Sequence, residues 1–189
     1  MDFIIKKEHL NDKNEYVGDV DLSDFNGNII SDENLGFVKL KSIKVSGFIL
    51  FKAGSGIEAG WGIKAGEGIE AGSGIEAGEG IKAGWGIKAG GGIKAGWGIK
   101  AGGGIEAGSG IEAGEGIKAG GGIEAGGGIE AGEGIEAGLS ISAQIISTPL
   151  RIFAGLCLWR NPTGDEIKVR AKRICGGGVI AFGNFEKIE

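Results

Sequence analysis

The sequence predicts an all-β fold, a single-stranded parallel β-solenoid, from three observations. Six residues recur through residues 51–139 as Ile, Lys or Glu, Ala, Gly, a variable residue and Gly, and the isoleucine returns at every sixth position from Ile57 to Ile135. Within a repeat, the Ile and the Ala lie on one face of a short strand and the charged residue lies on the other. The Gly-x-Gly sequence that follows is expected to form a corner with φ > 0. A short fixed period is typical of stacked coils.

The glycines disfavour other conformations of the repeat. Two of every six repeat residues are Gly, and each Gly costs a helix about 1 kcal/mol relative to Ala. Flexible coil is the usual interpretation of a Gly-rich stretch, but an Ile at every sixth position is not typical of a linker. One repeat cannot bury its own isoleucine, whereas coils stacked about 4.8 Å apart place each isoleucine on the one below.

Side-chain columns favour three repeats, about 18 residues, per coil over two repeats. With three repeats per coil the variable position gives a uniformly small column: Ser55, Ser73, Gly91, Ser109 and Gly127. The charged position gives a uniformly basic column: Lys64, Lys82, Lys100 and Lys118. With two repeats per coil neither column is uniform, since Lys64 would stack on Glu76. Stacked like charges repel, so a flat coil of two repeats is kept as the alternative to a triangular coil.

The repeats resemble the left-handed β-helix of hexapeptide-repeat proteins in their period and in their single aliphatic residue per repeat. In that family a small residue precedes the aliphatic one by two positions, whereas here Ala59 follows Ile57 by two. The resemblance implies a β-helix, and this departure leaves a right-handed or new coil open. Acyltransferases of that family use a histidine as general base. The only histidine here is His9, outside the repeats, which favours a protein that is not an enzyme.

The segments that flank the repeats predict caps. Residues 1–50 are turn-rich, with a hairpin turn at Asn26–Gly27, and end in strands whose Phe residues would close the open end of the core. Residues 140–189 are predicted to form a β-hairpin and one further strand. Trp159 falls in this hairpin and is expected in the core.

Composition argues against several classes of site. The net charge of −5 is mild, and no apolar segment is long enough for a signal peptide or a membrane span, so a cytoplasmic setting is expected. Cys157 and Cys175 do not make a disulfide framework and are expected to be small buried thiols. No pattern of metal ligands or of a cofactor motif is present, and we expect neither.

The candidate contact residues lie in the repeats. Trp61, Trp85 and Trp97 occupy the variable position, which elsewhere holds Glu or Ser, so their indoles are expected to be exposed. Exposed Trp is enriched in binding hot spots. An alternative is that the indoles cover backbone that the glycines leave bare. With the lysines of the basic column, these tryptophans are the predicted partner-binding residues.

The sequence is consistent with three functions. The first is a non-catalytic binding protein that engages a protein or a protein–nucleic acid complex, for example a phage or mobile-element inhibitor of a host nuclease or defence complex. The second is direct nucleic-acid binding by a basic set in the last segment: Arg160, Lys168, Arg170, Lys172 and Arg173. The third is a structural solenoid that assembles end to end. The oligomeric state does not follow from the sequence.

Overall fold

The computed structural model describes residues 1–189 and is a triangular parallel β-solenoid with about 18 residues per coil. Its strands form one sheet of ten strands and two sheets of eight, and each sheet is one face of the triangle. Neighbouring strands in a face pair in parallel and in register, so that Ile81 lies between Ile63 and Ile99. The triangular coil is thereby confirmed and the flat coil of two repeats is excluded.

The strands are short and follow the repeat. Before the repeats lie β1 (Asp2–Ile5), a 3-10 turn (Lys7–His9), β2 (Asn28–Ser31), β3 (Phe37–Leu40), β4 (Ile43–Val45) and β5 (Ile49–Phe51). The repeats form β6 (Gly56–Ala59), β7 (Ile63–Ala65), β8 (Ile69–Ala71), β9 (Ile75–Ala77), β10 (Ile81–Ala83), β11 (Ile87–Ala89), β12 (Ile93–Ala95), β13 (Ile99–Ala101), β14 (Ile105–Ala107), β15 (Ile111–Ala113), β16 (Ile117–Ala119), β17 (Ile123–Ala125), β18 (Gly128–Ala131) and β19 (Ile135–Ala137). After them lie β20 (Ile141–Ser142), β21 (Ile145–Ser147), β22 (Arg151–Ala154), β23 (Lys168–Ala171), β24 (Arg173–Cys175), β25 (Val179–Phe182) and β26 (Asn184–Lys187).

The three faces alternate along the chain. Face 1 has the order β1-β2-β5-β8-β11-β14-β17-β20-β23-β26. Face 2 has the order β3-β6-β9-β12-β15-β18-β21-β24, and face 3 has the order β4-β7-β10-β13-β16-β19-β22-β25. From β2 onward each coil contributes one strand to every face, and positions three repeats apart in the sequence become neighbours.

The core is a prism of isoleucine and alanine. Every repeat isoleucine from Ile57 to Ile135 is at most 1% exposed, and every repeat alanine is at most 6% exposed. Burial of one Ile side chain contributes about 1.5–3 kcal/mol. Alternation puts the charged residue of each strand outside, so one three-residue strand supplies both a core wall and a surface position.

The repeat glycines are required by close packing between coils. An added Cβ on Gly96 would lie 2.0 Å from the carbonyl oxygen of Gly78 in the preceding coil, and one on Gly84 would lie 1.9 Å from that of Gly66. No glycine between Gly56 and Gly138 has a left-handed φ. The expected corner with φ > 0 is therefore wrong, and the corner depends on the absence of a side chain.

The first 36 residues close one end of the core. Strands β1 and β2 add two parallel rungs to face 1, and single bridges place Glu15 beside Lys39 and Phe25 beside Val45. The aromatic plug consists of Phe3 with its neighbours Tyr16 and Phe25 at centroid distances of 6.3 and 6.1 Å.

Two expectations for this end are corrected. No hairpin forms around Asn26–Gly27, because β2 pairs in parallel with β1 instead of turning back on the preceding chain. The predicted plug of Phe residues from the following strands is also not formed. Phe51 is fully buried in an inward column, where it pairs with Ala71 in the next coil, and Phe37 is 38% exposed.

The opposite end continues the ladder, and the predicted closing β-hairpin is wrong. Strand β22 pairs in parallel with β19 and β25 on face 3, while β23 pairs with β20 and β26 on face 1. The turn signal at Asn161–Gly164 lies within a connecting loop between two faces. The strands on either side of it pair with earlier coils, because a preformed parallel ladder already offers them a register.

We expect Gly96→Ala to destabilise the fold by about 1–3 kcal/mol, because its methyl group would overlap the backbone of the preceding coil. Gly60→Ala is a matched control at the same repeat position, where the nearest atom to an added Cβ is the Lys41 carbonyl oxygen at 3.6 Å. Urea unfolding followed by circular dichroism measures both. Equal midpoints for the two variants would contradict the close approach of the coils.

Candidate functional site

A column of lysines runs along face 3. The outward residues of its successive strands are Lys44, Lys64, Lys82, Lys100 and Lys118, followed by Glu136. Adjacent members lie on neighbouring strands, about 4.8 Å apart. The spatial column expected from the sequence is therefore present. Sequence reasoning missed its first member, Lys44, although Ile43-Lys44-Val45 carries the same alternation as a repeat strand.

Three lysines in this column have no ionic partner. Lys44 pairs with Asp24 at 2.6 Å and Lys118 pairs with Glu136 at 2.7 Å, so the two ends of the column are neutralised. Lys64, Lys82 and Lys100 form no ion pair with any carboxylate. The middle of face 3 thus carries an uncompensated row of positive charge.

Each of the other two faces has a lysine paired across coils, but each also stacks glutamate on glutamate, as at Glu106–Glu124 and Glu112–Glu130. On face 1, Lys88 contacts Glu106 at 3.1 Å. On face 2, Lys94 contacts Glu112 at 2.9 Å, and the hydrogen bond from Lys94 to that carboxylate raises the pKa of the lysine. The same repeat therefore accommodates either sign at its charged position, and neither of these faces has a comparable run of lysines.

The tryptophans occupy two different corners. Trp61 and Trp97 lie between faces 2 and 3 with Glu79 between them, as the Glu79 amide donates to the Trp61 carbonyl and the Trp97 amide donates to the Glu79 carbonyl. Trp85 lies at the corner between faces 3 and 1, where its amide donates to the carbonyl of Glu67. Trp61, Trp85 and Trp97 are 67%, 64% and 53% exposed, so each presents more than half of its surface to solvent.

A groove of about 990 Å³ runs along face 3 between the lysine column and the corner that holds Trp61 and Trp97. Its second wall continues from Trp97 through Glu115 and Glu133. The floor is formed by glycine and isoleucine backbone, for example at Gly80 and Ile81, so no side chain obstructs it. The walls are at most about 10 Å apart, because only two residues, such as Gly62 and Ile63, lie between the two positions in each coil.

The grooves on the other faces lack this combination. The groove on face 1, of about 600 Å³, contains Trp85 and Phe48, but its outward charges are mostly acidic, with Lys88 among Glu70, Glu106 and Glu124. The groove on face 2, of about 690 Å³, is lined by the small corner residues and contains no tryptophan. Only face 3 joins aligned indoles to a run of like charges.

The basic residues of the last segment do not form one free patch. Arg160 forms two hydrogen bonds with Glu166, which, together with the Thr163 amide, lower the pKa of that carboxyl to about 2. Lys168 contacts Asp165 and Glu186, each at 2.7 Å, and both hydrogen bonds raise its pKa.

The remaining members of that set differ in their environment. Arg170 lies 3.5 Å from both Asp165 and Glu186, whereas Lys172 and Arg173 are exposed and unpaired at the corner between β23 and β24. The structure therefore brings Lys168 and Arg170 together with acidic partners. It leaves Lys172 and Arg173 as the unpaired cations of the predicted set.

The structure also locates the histidine, the last tryptophan and the two cysteines of the sequence. The ring of His9 stacks on Phe3 at 5.4 Å, and its Nδ1 accepts a hydrogen bond from the Lys6 amide. Trp159, expected in the core, lies instead on the connecting loop and is 62% exposed. Cys157 and Cys175 are half-buried free thiols. No three His, Cys, Asp or Glu side chains are grouped as metal ligands. The chain contains no helix with the length and apolar character needed to span a membrane.

We expect Lys82→Glu to stabilise the protein at low salt by about 0.4–2 kcal/mol, because it replaces two like-charge neighbours with two opposite-charge pairs. Lys94→Glu is the matched control on face 2, where Glu76 and Glu112 flank the position and the change is expected to destabilise. Thermal unfolding at low and high salt measures both effects, which should shrink as salt screens them. A destabilising Lys82→Glu change would contradict the unpaired column.

No protein-family model, curated protein or solved structure matches this chain. Its function is therefore argued from the geometry and the charge of its own surfaces.

Proposed function

We propose that this chain is a non-catalytic binding protein whose rigid face 3 engages a macromolecular partner. The observation that carries the proposal is the unpaired row Lys64, Lys82 and Lys100, which lies opposite the aligned indoles of Trp61 and Trp97. The partner is expected to be a protein or a protein–nucleic acid complex that presents negative charge along an extended edge.

The lysine row is unfavourable for the fold alone. Like charges directly opposite each other on neighbouring strands are destabilising, and the repeat lysines of faces 1 and 2, Lys88 and Lys94, form cross-coil ion pairs instead. Exposed indoles likewise contribute little to the core and are frequent in binding hot spots. A row of lysines that lowers the stability of the fold, next to two exposed tryptophans, is typical of a surface that contacts a partner.

Rigidity suits this surface to binding. The outward side chains of face 3 stand on strands whose backbone amides and carbonyls are bonded to coils on both sides, as Ile81 donates to the carbonyl of Gly98 and Gly84 donates to that of Ala65. A partner would therefore meet a row of charges whose backbone positions need no ordering on association, which lowers the entropy cost of binding.

A catalytic role has little support. The likeness to hexapeptide-repeat solenoids, some of which are acyltransferases with a histidine base, extends here to the repeat and not to such a base. His9 stacks on Phe3 in the cap, away from face 3. No nucleophile and base are arranged as a pair along the face 3 groove, whose walls carry lysine, tryptophan and glutamate.

The two other functions considered receive less support. Nucleic-acid binding by the last segment is weakened because Arg160, Lys168 and Arg170 are held by carboxylates. End-to-end assembly is opposed at the final edge by a register shift in β25 and by Lys187, which continues an inward column over Ala171. Bulges and inward charges are features that protect exposed strand edges from pairing.

Affinity capture from a bacterial lysate with protein identification tests the proposal. The double variant Trp61→Ala/Trp97→Ala and the triple variant Lys64→Gln/Lys82→Gln/Lys100→Gln should lose the partners that the intact protein captures. Trp85→Ala is the matched control, since it removes an equally exposed indole from another corner. Capture of a nuclease or a defence complex would support the narrower hypothesis of a phage or mobile-element inhibitor. Equal capture by all variants would contradict a role for face 3.

A further inference from the structure

We propose that the face 3 groove binds a single-stranded nucleic-acid segment, with its phosphates on the lysine wall and its bases on Trp61 and Trp97. This inference rests on the proposed function and names the chemistry of the part of the partner that face 3 contacts. Proteins that bind single strands combine a positive groove along the backbone with aromatic platforms for the bases, and the two walls of this groove provide these two elements.

The lysine wall matches a phosphate backbone. Lys64, Lys82 and Lys100 are exposed ammonium groups in one line, with no carboxylate in salt-bridge distance to compete for them. Lys44 and Lys118 at either side are already paired, so the free row is short and suits on the order of four nucleotides, the low end of single-strand sites. The acidic residues on faces 1 and 2 point away from face 3, whereas Glu79, Glu115 and Glu133 lie on the wall opposite the lysines.

The indole wall matches unstacked bases. Trp61 and Trp97 are separated by two coils, about 10 Å, and each is more than half exposed. Because Glu79 lies on the coil between them, a base can lie against each indole on either side of that glutamate. The distance of at most about 10 Å across the groove allows a nucleotide to reach from a phosphate on one wall to a base on the other.

Glu79 determines which side of a bound strand faces each wall of the groove. It lies between the two tryptophans and forms no ion pair. Its carboxylate would repel phosphate and would accept hydrogen bonds from exocyclic amino groups, such as N4 of cytosine. The strand must therefore lie with its phosphates toward the lysines and its bases toward Glu79.

The same wall disfavours a duplex and an acidic peptide. A duplex carries phosphates on both of its edges and would bring one edge against Glu79, Glu115 and Glu133. An acidic peptide would satisfy the lysines but offers no planar groups for the aligned indoles. Single-stranded nucleic acid is the occupant that uses both walls.

Fluorescence anisotropy with labelled oligothymidine and oligocytidine, at several salt concentrations, tests the inference on the full chain. The intact protein should bind both, with log K falling by about 2 for each tenfold rise in salt, as three phosphate contacts to a single strand imply. Trp61→Ala/Trp97→Ala should weaken binding by about a hundredfold, while Trp85→Ala should leave it unchanged. Lys64→Gln/Lys82→Gln/Lys100→Gln should weaken binding and flatten the salt dependence.

A further variant tests whether the bases of the strand face Glu79. Glu79→Gln should lower the affinity for oligocytidine relative to oligothymidine, because only cytosine offers an amino donor at that edge. Circular dichroism of each variant controls for folding; the altered tryptophans and lysines are exposed and Glu79 is half-buried.

Three outcomes would overturn the inference. They are no binding of either oligonucleotide at low salt, binding of a duplex at least as tight as that of a single strand, and displacement of the oligonucleotide by polyglutamate at equal charge concentration. If oligonucleotides do not bind but lysate capture still depends on Lys64, Lys82 and Lys100, the proposed function stands and only this inference fails.

Discussion

The close stacking of identical backbone corners is the constraint on which the rest of this structure depends. At the first glycine of each repeat the carbonyl oxygen of the preceding coil occupies the place of a side chain, as at Gly84 and Gly96. Coils can approach this closely only where glycine faces the carbonyl of the preceding coil, whether that carbonyl belongs to Gly66 or to Ser46, so the repeats must keep the same length and register. In this register the isoleucines of successive coils stack on one another and are buried.

Because successive coils are in register, the period of the sequence determines the pattern of side chains on the surface. Any residue type that recurs at every third repeat becomes a straight column on one face, as the lysines of face 3 do. Faces 1 and 2 place lysine beside glutamate at Lys88 and Lys94, where ion pairs form, and stack glutamate on glutamate elsewhere. The backbone and the core accept either charge at these outward positions, so the fold does not dictate the pattern of surface charge.

Much of the central architecture followed from the sequence because repetition removes ambiguity. The Ile and Ala positions predicted the core, the small corner residues and the lysines predicted the coil length, and alternation of Trp with Glu at one position predicted exposed indoles. The reason for the glycines was predicted incorrectly. Turn chemistry suggests left-handed φ, but contact with another coil is a tertiary feature that composition does not reveal. Lys44 was missed because the repeat there lacks its glycines.

The ends were predicted less well, since their sequences do not repeat. The turn signal at Asn161–Gly164 suggests a hairpin, yet β22 and β23 each extend a parallel face. The sequence neighbours of Trp159 suggest a core position, and the loop exposes it. The ion pair of Lys168 with Glu186 joins residues that only the pairing of β23 with β26 brings together.

Crosslinking of engineered cysteines tests the central claim, the register of three repeats per coil, most directly. In a Cys157→Ser/Cys175→Ser background, a Lys82→Cys/Lys100→Cys pair should crosslink with a short thiol reagent, because the two positions are partners on neighbouring strands of face 3. A Lys88→Cys/Lys100→Cys pair, two repeats apart in the sequence, should not, because those residues lie on different faces. Efficient crosslinking of the second pair and not of the first would contradict the account.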